Sequence, residues 1–331
     1  MVAAAVVLAA CGEPAAVSGP GRESSEQGSP AAEQPNATSG QASQAAWRSA
    51  DDGAAIVEAD RIGVRMVDLT ISSPAVGDAM VRLLLPAQFD AQPGRTWPVL
   101  YLLHGAGGSH LDWTLYTDVE TLTASTDLLI VMPDGGSRSW YADAWNGGRG
   151  GPPMWETFHV TEMRQLLERN WGASDRRAVA GLSMGGLGAM SYLGRHPDLF
   201  VGAASFSGVL DPLGAGPIQG GSTAFGDPVA QVDNWKAHDP RYLVPAMKGH
   251  TIYVAYGDGR PGPLDSGLGE QVDETERWIQ PQNQAFVAEL NLVGVAATVD
   301  AYGPGTHSWP YWERGLHAAL PLLLEALGSG S

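Results

Sequence analysis

The segment around Ser183 constrains the chain most. A short apolar run, Ala178-Val179-Ala180, enters Gly181-Leu182-Ser183-Met184-Gly185, and a Gly-rich stretch with helical character, Leu187 to Leu193, follows. A G-x-S-x-G pattern between strand and helix is a sharp turn that lifts a serine hydroxyl above a sheet. Crowding explains the glycines, because only a residue without Cβ fits the close-packed flanks. The helix N-terminus beneath the serine favours developing negative charge.

The rest of the chain alternates strand and helix signals. Val64 to Ser72 and Met80 to Leu85 predict two early strands, with Ser73 to Gly77 turning the chain between them. Pro98 to Leu103 and Leu128 to Met132 are continuous apolar runs, as expected for strands buried on both faces. Val201 to Val209, Thr251 to Ala255 and Ala296 to Ala301 repeat the strand signal. Helical spacing marks Glu156 to Trp171, Trp278 to Val293 and Leu316 to Leu327. This alternation predicts an α/β fold with a mostly parallel central sheet and helices on both faces.

Composition narrows the function. With 19 basic and 36 acidic residues, the formal net charge is −17. That balance argues against a nucleic-acid partner, because phosphate binding needs a basic face. It argues equally against a polybasic membrane patch. The chain has one Cys, so it holds no intramolecular disulfide framework and no Cys-cluster zinc site.

That Cys has a telling position. Val2 to Ala10 is a small apolar run, too short to span a bilayer, and it ends in Leu8-Ala9-Ala10-Cys11-Gly12. This resembles a bacterial lipobox, with Cys11 as the lipid acceptor. Residues 12–46 are rich in Ser, Gly, Ala, Pro, Gln and Glu without apolar periodicity, and read as a disordered tether. The expected organisation is a signal segment at 1–11, a tether at 12–46 and a catalytic domain at 47–331. The only membrane association expected is a lipid anchor on Cys11, with the domain a monomer on the outer face of the plasma membrane or secreted.

A serine needs a base to become a good nucleophile. His159 and His317 lie in predicted helices, and His110, His196, His238 and His250 sit in loops or at helix ends. His104 follows the strand at 98–103. α/β-hydrolases order their residues Ser, acid, His, and His307, just after the last predicted strand, fits the end of that order. The acid lies between, and by position Asp258, Asp265, Glu270, Asp273, Glu274 and Glu276 all qualify. An oxyanion hole needs two preorganised N–H donors. Met184, after the nucleophile, supplies one. Ala106, in the loop His104-Gly105-Ala106-Gly107-Gly108, is the candidate for the other.

Several stretches together resemble the esterase D and antigen 85 family of α/β-hydrolases. They are Val99-Leu100-Tyr101-Leu102-Leu103-His104-Gly105, Val131-Met132-Pro133-Asp134-Gly135-Gly136, Trp155-Glu156-Thr157-Phe158, Ala180-Gly181-Leu182-Ser183-Met184 and Thr306-His307-Ser308-Trp309-Pro310-Tyr311-Trp312. The closer likeness is to the mycolyltransferase branch, from about Val64 to Leu324. It implies acyl transfer through an acyl-enzyme, without metal or cofactor, on an ester or glycolipid substrate. It places the acid on Glu276, since Glu276, Asn283 and Phe286 reproduce the family's spacing. It makes Trp309 a border of the acyl pocket.

Three positions depart from the transferase branch. His104 stands for an Asp and Gly107 for an Arg, side chains that help hold a sugar acceptor, and Gly185 stands for a Ser. The loop therefore looks more like the family's ordinary esterases. His104, Trp113 and Trp309 are the expected substrate contacts. Trp140, Tyr141 and Trp145 also lie in loops, Trp155 and Trp312 are expected in the core, and Asp211 to Gly249 is long enough to form a small cap. Three functions follow as expectations. The first is a serine ester hydrolase. The second is an acyltransferase delivering to a sugar or glycerol hydroxyl. The third is a catalytically silent surface-binding protein on the same fold.

Overall fold

The computed structural model describes residues 47–147, 153–216, 218, 220–266 and 271–328. The expected signal segment, Cys11 and the tether lie outside the described residues. The described strands are β1 (Ala55–Arg61), β2 (Met66–Ser73), β3 (Gly77–Leu84), β4 (Trp97–Leu103), β5 (Leu129–Pro133), β6 (Ala173–Leu182), β7 (Gly202–Phe206), β8 (Thr251–Gly257) and β9 (Thr298–Gly303). They form one sheet in the order β1-β2-β3-β5-β4-β6-β7-β8-β9. From β5 to β9 every neighbouring pair is parallel, while β1, β2 and β3 add an antiparallel flank.

The helices are α1 (Asp112–Tyr116), α2 (Val119–Leu122), α3 (Trp155–Thr157), α4 (Arg164–Asn170), α5 (Met184–Arg195), α6 (Gly221–Phe225), α7 (Val232–His238), α8 (Pro240–Leu243), α9 (Glu274–Val293) and α10 (Trp309–Leu327). A π-helical turn, Phe158–Met163, joins α3 to α4. Among the described residues no helix is long and apolar enough to cross a membrane.

The period-two geometry of a strand explains the layering. In β4, Val99, Tyr101 and Leu103 point into a core shared with Phe158, Leu187, Met190, Ile279 and Phe286, from the helical stretch at 155–170, α5 and α9. Leu100 and Leu102 point the other way, into a core with Trp113, Trp312, Leu316 and Leu320. Both faces are covered, which is why these strands read as unbroken apolar runs. The expected α/β class with a mostly parallel sheet and helices on both faces is the observed one.

Several boundaries differ from the sequence reading, each for a physical reason. β1 was not anticipated, because an edge strand with mostly exposed side chains carries no apolar alternation. β6 begins at Ala173, upstream of the apolar run, because Ser174 to Arg177 give no apolar signal: Asp175 and Arg176 are exposed and the buried Arg177 pairs with Glu168. α10 begins at Trp309, with Pro310 in its first turn, where a missing N–H costs nothing. α9 begins at Glu274, capped by Asp273, whose side chain accepts from Thr275 N and Glu276 N. That earlier start places Glu276 in a first helical turn.

Candidate active site

Two loops at the C-terminal ends of the parallel strands and the first turn of α9 meet beside Ser183. The first is the β6–α5 turn. Ser183 has φ 53° and ψ −116°, a backbone conformation unusual for a residue with a side chain. The flanking glycines permit it. A Cβ on Gly181 would collide with the Gly185 carbonyl, and one on Gly185 would lie 2.7 Å from the His104 carbonyl oxygen. Ser183 N–H donates to Phe206 O at 3.0 Å, which ties the turn to β7.

The second loop, between β9 and α10, carries His307. Its Nδ1 lies 2.8 Å from Glu276 Oε2 and its Nε2 2.9 Å from Ser183 Oγ. A carboxylate only accepts, so Nδ1 carries the proton and Nε2 is free to accept from the serine hydroxyl. The Trp312 ring stands edge-on to the imidazole, with centroids 4.9 Å apart. The third contribution is Glu276, fully buried in α9. Its Oε1 accepts from Ser207 Oγ at 2.9 Å and from Gly257 N at 2.7 Å, so the carboxylate is held on three sides. Ser207 reaches it from a left-handed backbone conformation, φ 49°. Asn283 and Phe286, which the resemblance singled out with Glu276, are both buried, and Asn283 Nδ2 holds Gly208 O at 2.8 Å.

The other candidate acids have different partners. Asp258 pairs with Arg260. Asp265 accepts from Thr306 Oγ1 at 2.5 Å and from Tyr311 OH at 3.0 Å. Asp273 takes the His307 backbone N–H at 2.9 Å, and Glu274 is exposed beside Arg277. Glu270 lies outside the described residues. Among the histidines, only His307 reaches Ser183. His196 and Arg195 bind the buried Glu156, and His238 lies 3.6 Å from it. His110 meets Asp134, and His250 bridges the carbonyls of Met247 and Pro197. His159 is buried between Tyr192 OH and Asp134 O, and burial pushes its imidazole down to about 4.

Two backbone donors flank the elbow. Met184 N–H opens α5, and Ala106 N–H sits in the loop after β4. Among the described residues neither donates a hydrogen bond. Gly105 brings this loop against the elbow, since a Cβ there would lie 3.5 Å from Ser183 Cβ.

Two of the three expected substrate contacts require correction. His104 is 1% exposed, with Nδ1 2.7 Å from Gly105 O and Nε2 accepting from Gly135 N at 2.8 Å. Burial holds its imidazole below the usual range, so it stays neutral, as that double contact requires. Its ring braces the Ala106 loop rather than facing a substrate. Tyr141, one of the loop aromatics, also braces this loop: its hydroxyl donates to His104 O at 3.0 Å. Trp113 is also 1% exposed, with its indole N–H on Leu103 O. A side chain that points into the core from a loop or a one-turn helix leaves no periodic signal in sequence.

Trp309 is half-buried. It stacks on the exposed Tyr116 with centroids 5.0 Å apart, a neighbour the sequence reading did not select. Trp155 and Trp312 lie in the core, as expected. Within the expected cap region, α7 and α8 pack against α5, where Arg195 binds Ala237 O and Gly194 abuts Leu243, so this part braces the sheet helices. One group among the described residues can approach a metal ion, Asp118 with Glu313 and His317. There His317 pairs with Asp118, and Glu313 accepts the Asp118 N–H.

Comparisons with known proteins agree with this architecture. Residues 73–323 match the model of the family described as "Putative esterase". The chain is 34% identical over 259 residues to the diacylglycerol acyltransferase/mycolyltransferase Ag85B of Mycobacterium intracellulare, covering 72% of this chain and 78% of that one. It is 32% identical over 269 residues to the esterase Rv1288 of Mycobacterium tuberculosis, covering 72% of this chain and 57% of the relative. Among solved structures, M. tuberculosis MPT51 (FbpC1) superposes with a TM-score of 0.65 at 23% identity, covering 81% of this chain and 99% of that one. The S-formylglutathione hydrolase of Agrobacterium tumefaciens superposes with a TM-score of 0.66 at 17% identity, covering 82% and 99%. By matched length and by identity alike, the chain belongs to this esterase family and is an enzyme that acts on esters.

Proposed function

We propose that the protein is an extracytoplasmic serine ester hydrolase working through an acyl-enzyme. The observation that carries the reading is the hydrogen-bonded series Ser183 Oγ, His307 Nε2, His307 Nδ1 and Glu276 Oε2. Ser183 Oγ attacks the ester carbonyl carbon while its proton passes to His307 Nε2. The oxyanion sits between the Met184 and Ala106 N–H groups. His307 returns the proton to the leaving alkoxide, and the alcohol departs. Water then gives a proton to His307 and attacks the acyl-enzyme, which frees the acid and restores the Ser183 hydroxyl. Glu276 orients the imidazole and stabilises its cationic form. The half-buried Trp309, with Tyr116 stacked on it, borders the acyl side of the site. No cofactor enters this scheme.

The acyltransferase reading uses the same acyl-enzyme with a sugar or glycerol hydroxyl in place of water. The 34% identity to a diacylglycerol acyltransferase/mycolyltransferase favours it. The loop favours water, because His104 turns inward where the transferase branch presents an Asp to the sugar. A silent binding protein has no use for a serine held at φ 53° beside a base. A p-nitrophenyl ester series from short to long acyl chains tests the assignment, repeated with trehalose or glycerol added. Hydrolysis unchanged by either acceptor is expected. Acyl-trehalose or acylglycerol as the main product would make the enzyme a transferase, and no release from any ester would overturn both readings.

The lipobox-like Leu8 to Gly12 supports a domain anchored through Cys11 and a tether at 12–46. Expressed in a bacterial host with its own N-terminus, the wild type is expected in the membrane pellet and Cys11→Ala in the soluble fraction. Equal partitioning of the two would remove the anchor.

A further inference from the structure

We propose that the Asp273 carboxylate is a positioning residue that fixes the base and the acid relative to one another by binding the main chain of both. The inference rests on the reading of Ser183, His307 and Glu276 as the reacting series.

One oxygen does what a helix cap does. Asp273 Oδ1 accepts from Thr275 N at 2.8 Å and from Glu276 N at 3.1 Å, satisfying donors that α9 leaves open. The other oxygen is not needed for the cap. Oδ2 crosses to the β9–α10 loop and accepts the His307 N–H at 2.9 Å. Asp273 is itself tethered, with its N–H on Gly259 O at 2.7 Å.

These bonds close a ring. It runs from the His307 backbone to Asp273, through the Glu276 backbone and side chain, and back to the His307 imidazole at Nδ1. The acid and base are thus clamped at the main chain as well as at their side chains. Asp265 supports the same loop one residue earlier, through Thr306 Oγ1 and Tyr311 OH. Asp273 differs because its bond lands on the base itself. Without it the loop stays attached at Thr306 but His307 can shift along it. A displacement of about 1 Å at a reacting group can cost about a hundredfold in rate.

The test is Asp273→Ser in the full chain. Serine is as good a cap as aspartate, so α9 stays closed, but a single short hydroxyl cannot also reach His307. The variant is expected to melt within a few degrees of wild type. Its kcat on a p-nitrophenyl ester is expected to fall about 10- to 100-fold with KM unchanged. Labelling of Ser183 by a fluorophosphonate, in which Oγ displaces fluoride from phosphorus, is expected to slow by the same factor. Asp273→Ala, which removes the cap as well, adds a loss of melting temperature. Wild-type kcat and labelling rates in Asp273→Ser would overturn the proposal, as would losses that follow only the unfolded fraction.

A wild type that neither turns over esters nor labels would instead refute the reacting series. Asp273 is then read from the proton shared by His307 Nδ1 and Glu276, observed by NMR at low field. Its loss in Asp273→Ser sustains the positioning role, and its persistence unchanged overturns it.

Discussion

Ser183→Gly is expected to abolish ester hydrolysis and at the same time stabilise the protein. The activity loss follows from removing the atom that forms the acyl-enzyme, and is expected to be about 10⁴- to 10⁶-fold in kcat. The gain comes from the backbone. Ser183 sits at φ 53° and ψ −116°, a region that glycine enters freely and other residues enter at about 1–3 kcal/mol. Glycine returns part of that through the greater freedom of its unfolded chain, roughly 0.5–1 kcal/mol. The net expectation is about 1 kcal/mol of stabilisation, a rise in melting temperature of roughly 2–4 °C. Ser183→Ala is the comparison, because it removes the same oxygen but keeps the Cβ and the strain. It is expected to be equally inactive and to melt near wild type. Calorimetry and ester turnover on the three proteins check both halves. Activity within tenfold of wild type in either variant would place the nucleophile elsewhere. A Ser183→Gly protein no more stable than Ser183→Ala would mean that the turn is not strained.

That coupling of strain to chemistry also explains which parts of the site were legible in the sequence. Ser183 stood out because its conformation needs Gly181 and Gly185, and a steric requirement of that kind is written into residue types. His307 stood out because, of the two histidines after the last strand, it alone lies in the loop while His317 falls in the final helix. Glu276 was singled out by the family resemblance and not by its position among the six candidate acids, because its role depends on where α9 starts. Apolar periodicity pointed to Trp278, yet the helix opens at Glu274. The missed signal was Asp273 with Glu276 three residues later, the spacing of a capping box. Only half of that motif is used as a cap. Asp273 N–H goes to Gly259 O, and the Glu276 side chain turns towards Gly257 and His307.

The backing residues left less trace still. Ser207 reaches Glu276 from a left-handed conformation that no neighbouring glycine pattern announces, and His104 and Tyr141 brace the Ala106 loop through backbone carbonyls. Such contacts depend on how loops from distant strands stack. The sheet was legible for the opposite reason. β4, β5 and β7 are buried on both faces, and burial on both faces forces apolar runs.

Glu276→Gln is expected to lower kcat by about 10⁴-fold while leaving the fold intact. The substitution keeps shape and burial and changes one acceptor oxygen into a donor. Glu276 Oε1 serves Ser207 Oγ–H and Gly257 N–H, and Oε2 serves His307 Nδ1–H. An amide cannot serve both sides. If its NH₂ faced Ser207 and Gly257, the serine hydroxyl could rotate to accept, but the Gly257 N–H would be buried without an acceptor. That costs about 1–3 kcal/mol. The amide oxygen therefore stays towards Gly257 and the NH₂ faces His307. Nδ1 must then accept, so the imidazole proton moves to Nε2, where it points at Ser183 Oγ. A base with its proton already in place cannot take another from the serine. The expected signature is a fall in kcat and kcat/KM together with little change in KM or melting temperature. Asp258→Asn, whose carboxylate pairs with Arg260 instead, is expected to keep wild-type turnover. Steady-state kinetics on both variants decide the assignment, and Glu276→Gln turnover within tenfold of wild type would remove Glu276 from the reacting series.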